Sequence, residues 1–140
     1  MKSFAKSFML LGCAVFFCIS TLYAKRDKSV ETQTVYIFGT ATSFEDTIVY
    51  ITDIQEIQGV ALVNKGFLDG RNMYSHQLKS YLENGANLPN RTCAVFFSEK
   101  KSKLEKTYAK MKQKYQSDKS ISCRMLDAKA FSFTKYDSEY

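Results

Sequence analysis

The sequence lacks the residues that many catalytic and metal sites require. It contains one histidine, His76, one proline and no tryptophan among its 140 residues. A single histidine excludes a multi-histidine metal site, and no second ligand lies four residues further along the chain. Glycine-rich phosphate loops, Gly-x-Ser-x-Gly and His-Glu-x-x-His are absent as well. The sequence therefore predicts no cofactor, no metal and no catalytic set.

The one long uncharged apolar run of the chain lies at its start. Two lysines precede residues 8–24, which are uncharged, end in the small residue Ala24 and are followed by Lys-Arg. A positive flank, a short apolar core and a small terminal residue are typical of a secretory signal. We predict that residues 1–24 are a signal peptide cleaved after Ala24, and that the protein is exported to the periplasm or beyond the cell.

Two other interpretations of this segment stay open. The uncharged run of 17 residues is at the lower end of the roughly 17–25 that span a bilayer as a helix, so an uncleaved anchor is one alternative. Residues 10–13 (LLGC) place a small residue before a cysteine, so lipidation at Cys13 is the other. The apolar core before Cys13 is shorter than the roughly 7–15 residues of a signal, which disfavours lipidation.

Cysteine is scarce beyond the predicted signal. Cys13 and Cys18 lie within it, which leaves Cys93 and Cys123. Two cysteines in an exported domain most simply form a disulfide, and the C-x-x-C spacing of redox pairs is absent. We predict a bridge between Cys93 and Cys123, which in the chain-entropy model stabilises the fold by roughly 3–4 kcal/mol.

Positive charge is concentrated in one segment. The net charge of the chain is +6 at pH 7, and the loss of two lysines with the signal lowers it to +4. Residues 99–116 alone hold seven lysines against two glutamates. Since the rest is nearly neutral and no arginine is interleaved with these lysines, nucleic acid is not predicted as a partner.

The same residues 99–116 are predicted to form the longest helix. Leu104, Tyr108, Met111 and Tyr115 make one narrow apolar stripe, and the favoured interpretation is that this stripe packs on a sheet while the lysines are solvated. The alternative is a module that binds anionic glycan or lipid headgroups. Its ligand would contact Lys103, Lys106, Lys110 and Lys114.

The remaining sequence predicts one α+β domain over residues 34–140, after a flexible lead-in at 25–33. Residues 34–41 and 47–54 are rich in β-branched and aromatic residues and are predicted to pair as a hairpin, with a bend or bulge at Gly39. A turn is predicted at residues 64–66. A helix, capped by Asn72 or Ser75, is predicted to run to about Glu83.

The most apolar stretch, residues 91–98, is predicted to be a central strand, and residues 128–136 the last strand. Strand, helix and strand from 91 to 136 then make a βαβ unit. The order ββαβαβ predicts a two-layer sandwich with a four- or five-stranded mixed sheet and both helices packed on one face.

A catalytic interpretation has two candidate pairs. Cys93 and His76 could act as nucleophile and base, but Cys93 is predicted to share a core face with Val95, and His76 to face solvent. Glu45 and Asp46 could act as paired carboxylates, but adjacent loop acids are more often solvated. A small thiol or carboxylate hydrolase is therefore the least favoured function.

Three strings resemble small exported proteins of Gram-negative, Bacteroides-type anaerobic bacteria, for which no activity is known: TSFEDTIVYITDIQ, YSHQLKSYL and RTCAVFF. The resemblance spans most of residues 30–136. It implies export and a bacterial envelope, and no activity. The leading prediction is therefore a non-enzymatic domain, exported to the envelope, that acts through contacts with a partner protein.

Overall fold

The structure is a computed structural model that describes residues 31–138. The predicted signal peptide and most of the predicted lead-in lie outside the described residues. The described part is an α+β fold with a mixed six-stranded sheet and two helices, which confirms the predicted class. None of these helices is long and apolar enough to cross a membrane. The strands are β1 (Thr32–Thr42), β2 (Ile48–Thr52), β3 (Gln55–Val63), β4 (Phe67–Leu68), β5 (Thr92–Ser98) and β6 (Ser122–Leu126). The helices are α1 (Arg71–Ser80), continued by a π-helical turn at Tyr81–Gly85, and α2 (Lys101–Ser117).

β1 is the central strand of the sheet. β5 pairs with one edge of β1. On the other edge β3 pairs with the first part of β1 and β2 with the last part, and all three pairings are antiparallel. β6 extends the sheet beside β2 in parallel, and β4 lies beside β3. The predicted β1–β2 hairpin is thus confirmed, whereas the prediction that residues 91–98 form a central strand is wrong. β5 is apolar because helices cover both of its faces, although it has a strand on only one edge.

The two helices lie on opposite faces of the sheet, so the fold has three layers. The prediction of a two-layer sandwich with both helices on one face is therefore wrong, and the sheet has six strands where four or five were predicted. Along β1, Ile37 belongs to the core cluster of α1, and Phe38 belongs to that of α2. The ring of Phe38 meets Tyr108 of α2 edge-on, with centroids 5.0 Å apart. Because successive strand residues point to opposite faces, a strand that is apolar at every position supplies two cores.

Gly39 marks a place where α1 packs directly on β1. A Cβ at this position would lie 2.6 Å from Cδ2 of Leu78 and 3.2 Å from the ring of Phe133. β1 keeps an unbroken register with β5 through this residue. On the other edge the register shifts between Gln33 and Val35 and again around Gly39, where the pairing passes from β3 to β2, so the irregularity predicted at Gly39 is present on that edge alone.

Both helices bury an apolar stripe against the sheet, and that of α2 is placed as predicted. Tyr74, Leu78 and Leu82 are buried against the sheet. On the other face Leu104 is buried, and the rest of the α2 stripe is half-buried against its core cluster. The start of α1 differs from the prediction, because its N-cap is Gly70 without a side-chain cap. Gly70 has a φ of 65°, and a Cβ there would overlap the ring of Tyr136.

The predicted βαβ unit is present, but its last strand is β6. β5 is antiparallel to β1, β1 is antiparallel to β2, and β6 is parallel to β2, so β5 and β6 run in the same direction. Residues 128–136 form no strand, because side chains take the place of a neighbouring strand. The amide of Gln55 accepts from the N–H of Phe133 and donates to the C=O of Phe131.

Candidate functional site

A groove follows the outer edge of β5, on the side away from β1. Its deeper part is a cavity of about 370 Å³ at the C-terminal end of the strand. Lys65 and Phe67 of the β3–β4 turn and Arg71 of α1 line this cavity, together with Lys103 and Leu104 of α2. A more open depression of about 580 Å³ continues past Arg71 along the strand. We call the two together the β5 groove.

The turn between β3 and β4 forms where the sequence predicts it. Asn64, Lys65 and Gly66 all have positive φ, of 45°, 67° and 101°, so the chain reverses within three residues. The reversal pairs Val63 with Phe67 and brings both Lys65 and Phe67 to the groove. Phe67 is 59% exposed there, which leaves an aromatic surface uncovered.

The backbone of β5 alternates between β1 and the groove. The N–H of Gly39 donates to Oγ1 of Thr52 at 2.9 Å, so the polar groups of Gly39 point toward β2. In an antiparallel pair, opposed residues alternate between facing each other with their hydrogen-bonding groups and facing away. Val95 lies opposite Gly39 and therefore directs its own N–H and C=O into the groove.

By the same alternation, Cys93 and Phe97 also direct their backbone groups outward. The C=O of Val95 accepts a hydrogen bond from Nη2 of Arg71 at 3.2 Å. Within residues 31–138 no strand pairs with this edge of β5. Backbone N–H and C=O groups of every second residue of β5 therefore point into the groove, and one of these acceptors, the C=O of Val95, is occupied by Arg71.

The groove is positively charged. Lys65, Arg71 and Lys103 come from three separate elements, and no acidic residue lines the cavity between them. None of the three forms a salt bridge within the described part of the chain. The guanidinium of Arg71 lies 5.8 Å from the centroid of the Phe97 ring. Three cations without an acidic neighbour in this cavity create a local field that favours an anionic partner.

The four predicted lysines are all exposed on α2. Their spacing of three, four and four residues places them on one flank of the helix. Of the four, Lys103 lines the groove cavity, and the remaining three continue along the helix beyond it. They are Lys106, Lys110 and Lys114. The lysine flank and the β5 groove are therefore adjoining surfaces that share one residue.

The predicted disulfide is wrong, since Cys93 and Cys123 are both free. β1 and β2 lie between their strands, so three spacings of about 4.8 Å separate them by about 14 Å. Cys93 also packs on the side of α1 and Cys123 on the side of α2. A disulfide needs Cα atoms within about 7 Å.

The thiol of Cys93 is not activated. Burial raises its pKa to about 11, against a smaller lowering by Lys79, so the thiol is protonated at neutral pH. A protonated thiol is a poor nucleophile. His76 is exposed, as predicted, and its Nε2 lies 3.4 Å from the hydroxyl of Ser80 on its own helix. The thiol hydrolase alternative therefore gains no support from this geometry.

The loop carboxylates hold the fold together. Asp46 pairs with the guanidinium of Arg91 and accepts the N–H of Ile48 at 2.9 Å. Glu45 accepts from the side-chain amide of Asn90 at 3.0 Å. These contacts tie the β1–β2 loop to the start of β5 and engage both carboxylates within the fold, so the carboxylate hydrolase alternative gains no support from them. Arg91, which is only 3% exposed, has no pattern in the sequence that predicts this role.

Residues 31–138 contain no cluster of three or more histidine, cysteine or acidic side chains that could hold a metal ion. Comparison with protein-family models, curated proteins and solved structures gave no match.

Proposed function

We propose that the chain is an exported, non-enzymatic domain that binds a partner protein, with the β5 groove as its contact site. One observation carries the proposal: in the described part of the chain, a strand edge without a neighbouring strand coincides with an exposed phenylalanine and three cations that form no salt bridge. Free strand edges are normally blunted or covered because they pair readily with other chains. Peptide-binding domains use the same kind of edge as a site. Export rests on the pattern of residues 1–24.

The simplest competing interpretation is that Arg71 only protects the edge. A charged side chain on an edge strand discourages pairing with other copies of the chain. Arg71 occupies one acceptor, the C=O of Val95. Within residues 31–138 no strand covers the outward N–H groups of Cys93 and Phe97, and Phe67 lies exposed near Phe97, so protection by Arg71 is partial.

Site-specific photo-crosslinking in producing cells tests this proposal. A photoreactive residue in place of Phe67 should give an adduct of discrete mass with an envelope protein. The matched control is Phe44, which is 103% exposed in the β1–β2 loop, at the other end of β5. An adduct from position 44 but not 67, or from neither position, contradicts the proposal.

An anionic glycan is the second candidate ligand class, because the four α2 lysines are exposed on one flank. Insertion into lipid is disfavoured, since the apolar stripe of α2 is packed on the sheet. Retention on heparin that falls steeply with salt, and is lost when the four lysines are changed to glutamine, would support this alternative. The same assay with vesicles of anionic phospholipid separates glycan from lipid.

A further inference from the structure

We infer that the β5 groove receives an extended acidic segment of the partner protein, which adds to β5 as a further strand of the sheet. This inference rests on the proposed function and specifies the chemistry of the partner. It goes beyond a general contact surface, because it assigns the backbone groups that pair and the side chains that select the ligand.

The backbone of β5 is arranged for strand addition. Cys93, Val95 and Phe97 each direct one N–H and one C=O outward, at intervals of about 6.8 Å. An incoming extended chain offers its own groups at the same interval. Such main-chain pairing supplies affinity, and the side chains around the edge supply specificity.

Arg71 explains why the segment should be acidic. In the free protein its guanidinium donates to a neutral acceptor, the C=O of Val95. A carboxylate on the incoming segment would offer Arg71 a stronger, charge-assisted bond. The released C=O of Val95 could then accept an N–H from the added strand. A neutral segment would have to displace Arg71 without this compensation.

Acidic residues are favoured on both faces of the added strand. Arg71 lies over the ring of Phe97, on the face of the sheet that α1 covers. Lys103 lies on the opposite face of the sheet, which α2 covers. Lys65 lies at the end of the groove. A segment with alternating side chains can therefore direct carboxylates to Arg71 on one face and to Lys103 on the other.

Two occupants from this chain fit less well. A second copy paired edge to edge through β5 would bring two sets of Arg71 and Lys103 together, and like charges across an interface are unfavourable. The sequence before the sheet, KRDKSV at residues 25–30, is itself basic. Charge complementarity therefore favours an acidic segment from another protein.

Fluorescence anisotropy with the purified protein measures the charge selection. The probe is a labelled peptide of alternating glutamate and valine, and its counterpart has lysine in place of glutamate. We expect binding of the acidic peptide only. Arg71→Gln and Lys103→Gln should each weaken it by about three- to tenfold. The matched control Lys119→Gln, at an exposed lysine outside the groove, should bind as the unaltered protein does.

Amide hydrogen exchange of the same complex tests strand addition. The outward amides of Cys93, Val95 and Phe97 should exchange fast in the free protein and become protected by the peptide. The amides of Ala94 and Phe96 point to β1 and should be protected in both states. Alternate protection is a signature that a purely ionic contact would not produce.

Four results would overturn the inference. The first two are a failure of the acidic peptide to bind, and a loss of affinity in Lys119→Gln equal to that in the groove variants. The third is peptide binding without protection of the alternate β5 amides. The fourth is the same amide protection at high protein concentration without peptide. The last result would indicate a second copy as the occupant. If the peptide fails but crosslinking at position 67 succeeds, the proposed function stands and the acidic strand is rejected.

Discussion

At the scale of single residues, the side chain of Thr52 replaces a backbone hydrogen bond that is missing between β1 and β2. β2 and β3 lie end to end along one edge of β1. Where the pairing passes from β3 to β2, the three-residue interval from Ile37 to Thr40 on β1 lies opposite a four-residue interval, from Gln55 back to Ile51. The N–H of Gly39 falls in this irregular step and donates to Oγ1 of Thr52 instead of a strand carbonyl. The Thr52 hydroxyl in turn donates to the C=O of Asp53 at 3.0 Å.

Thr52→Val should therefore destabilise the fold although it keeps the shape of the side chain. Thr52 is fully buried, so the N–H of Gly39 would lose its acceptor in a dry environment. We expect a loss of about 1–3 kcal/mol in the free energy of unfolding, measured by urea denaturation. Thr52→Ser, which keeps the hydroxyl, should cost less. A valine variant as stable as the parent would show that water satisfies Gly39.

The thiol of Cys93 should react only at high pH. Its pKa is raised to about 11 by burial, so the nucleophilic thiolate is rare at pH 8 and its fraction increases up to and beyond pH 10. Alkylation by iodoacetamide of the folded Cys123→Ser variant of residues 25–140, in which Cys93 is the one remaining cysteine, followed by mass spectrometry, measures this thiol alone. Fast modification at neutral pH would contradict the raised pKa and reopen the thiol chemistry.

At the scale of elements, the segment after β6 is held by two glutamine side chains. Gln55 bonds both Phe131 and Phe133, and Gln77 makes the same pair of bonds with the backbone of Thr134. Phe131 and Phe133 are thereby kept in the core beside α1. Their alternation was visible in the sequence, but the glutamines that replace a strand partner lie far away along the chain.

Gln55→Ala should loosen this segment before the rest of the sheet. The change leaves the C=O of Phe131 and the N–H of Phe133 without their partner, at a cost of about 1–3 kcal/mol. Hydrogen exchange should show faster exchange at Phe133 while the amides of β1 stay protected. Gln58→Ala is the matched control, since Gln58 is exposed and bonds only Glu56. Unchanged protection of Phe133 would contradict this account.

α2 should depend on its apolar stripe and not on its lysines. Leu104 is 2% exposed, so Leu104→Ala should cost about 2–5 kcal/mol through the cavity it leaves. Replacing Lys103, Lys106, Lys110 and Lys114 together by glutamine should shift the unfolding free energy much less, because all four are exposed. Equal losses in the two variants, compared by urea denaturation, would mean that the lysines pack against the fold.

Local features of this fold were predictable, and its strand order was not. The hairpin of β1 with β2 and the stripe from Leu104 follow from patterns within a few residues. The placement of β5 at an edge, and hence the separation of Cys93 from Cys123, depends on contacts between distant segments. In the candidate site, too, one part was predictable from the sequence and the other was not. Lys103 was identified by charge, whereas Arg71 and the open backbone of β5 become visible only once the sheet is assembled.

At the scale of the whole molecule, the three-layer arrangement brings both faces of the sheet to one open edge. α1 covers one face and α2 the other, and Arg71 of α1 meets Lys103 of α2 at the β5 groove. The same arrangement separates the two thiols by the thickness of the sheet and most of its width. An exported form of this fold would therefore carry two unpaired cysteines even in an oxidising compartment.

Intact-mass analysis of protein recovered from the cell envelope tests export and thiol state together. If the signal is cleaved after Ala24, the mass should correspond to residues 25–140. Unfolding in the presence of iodoacetamide and without reductant should then add two adducts, at Cys93 and Cys123, because the fold keeps these thiols too far apart to oxidise as a pair. Retention of Met1 would indicate an uncleaved anchor, and a lipid on Cys13 would indicate a lipoprotein. A mass two hydrogens lower with no adducts would mean that the thiols pair in the cell, which this strand order does not allow.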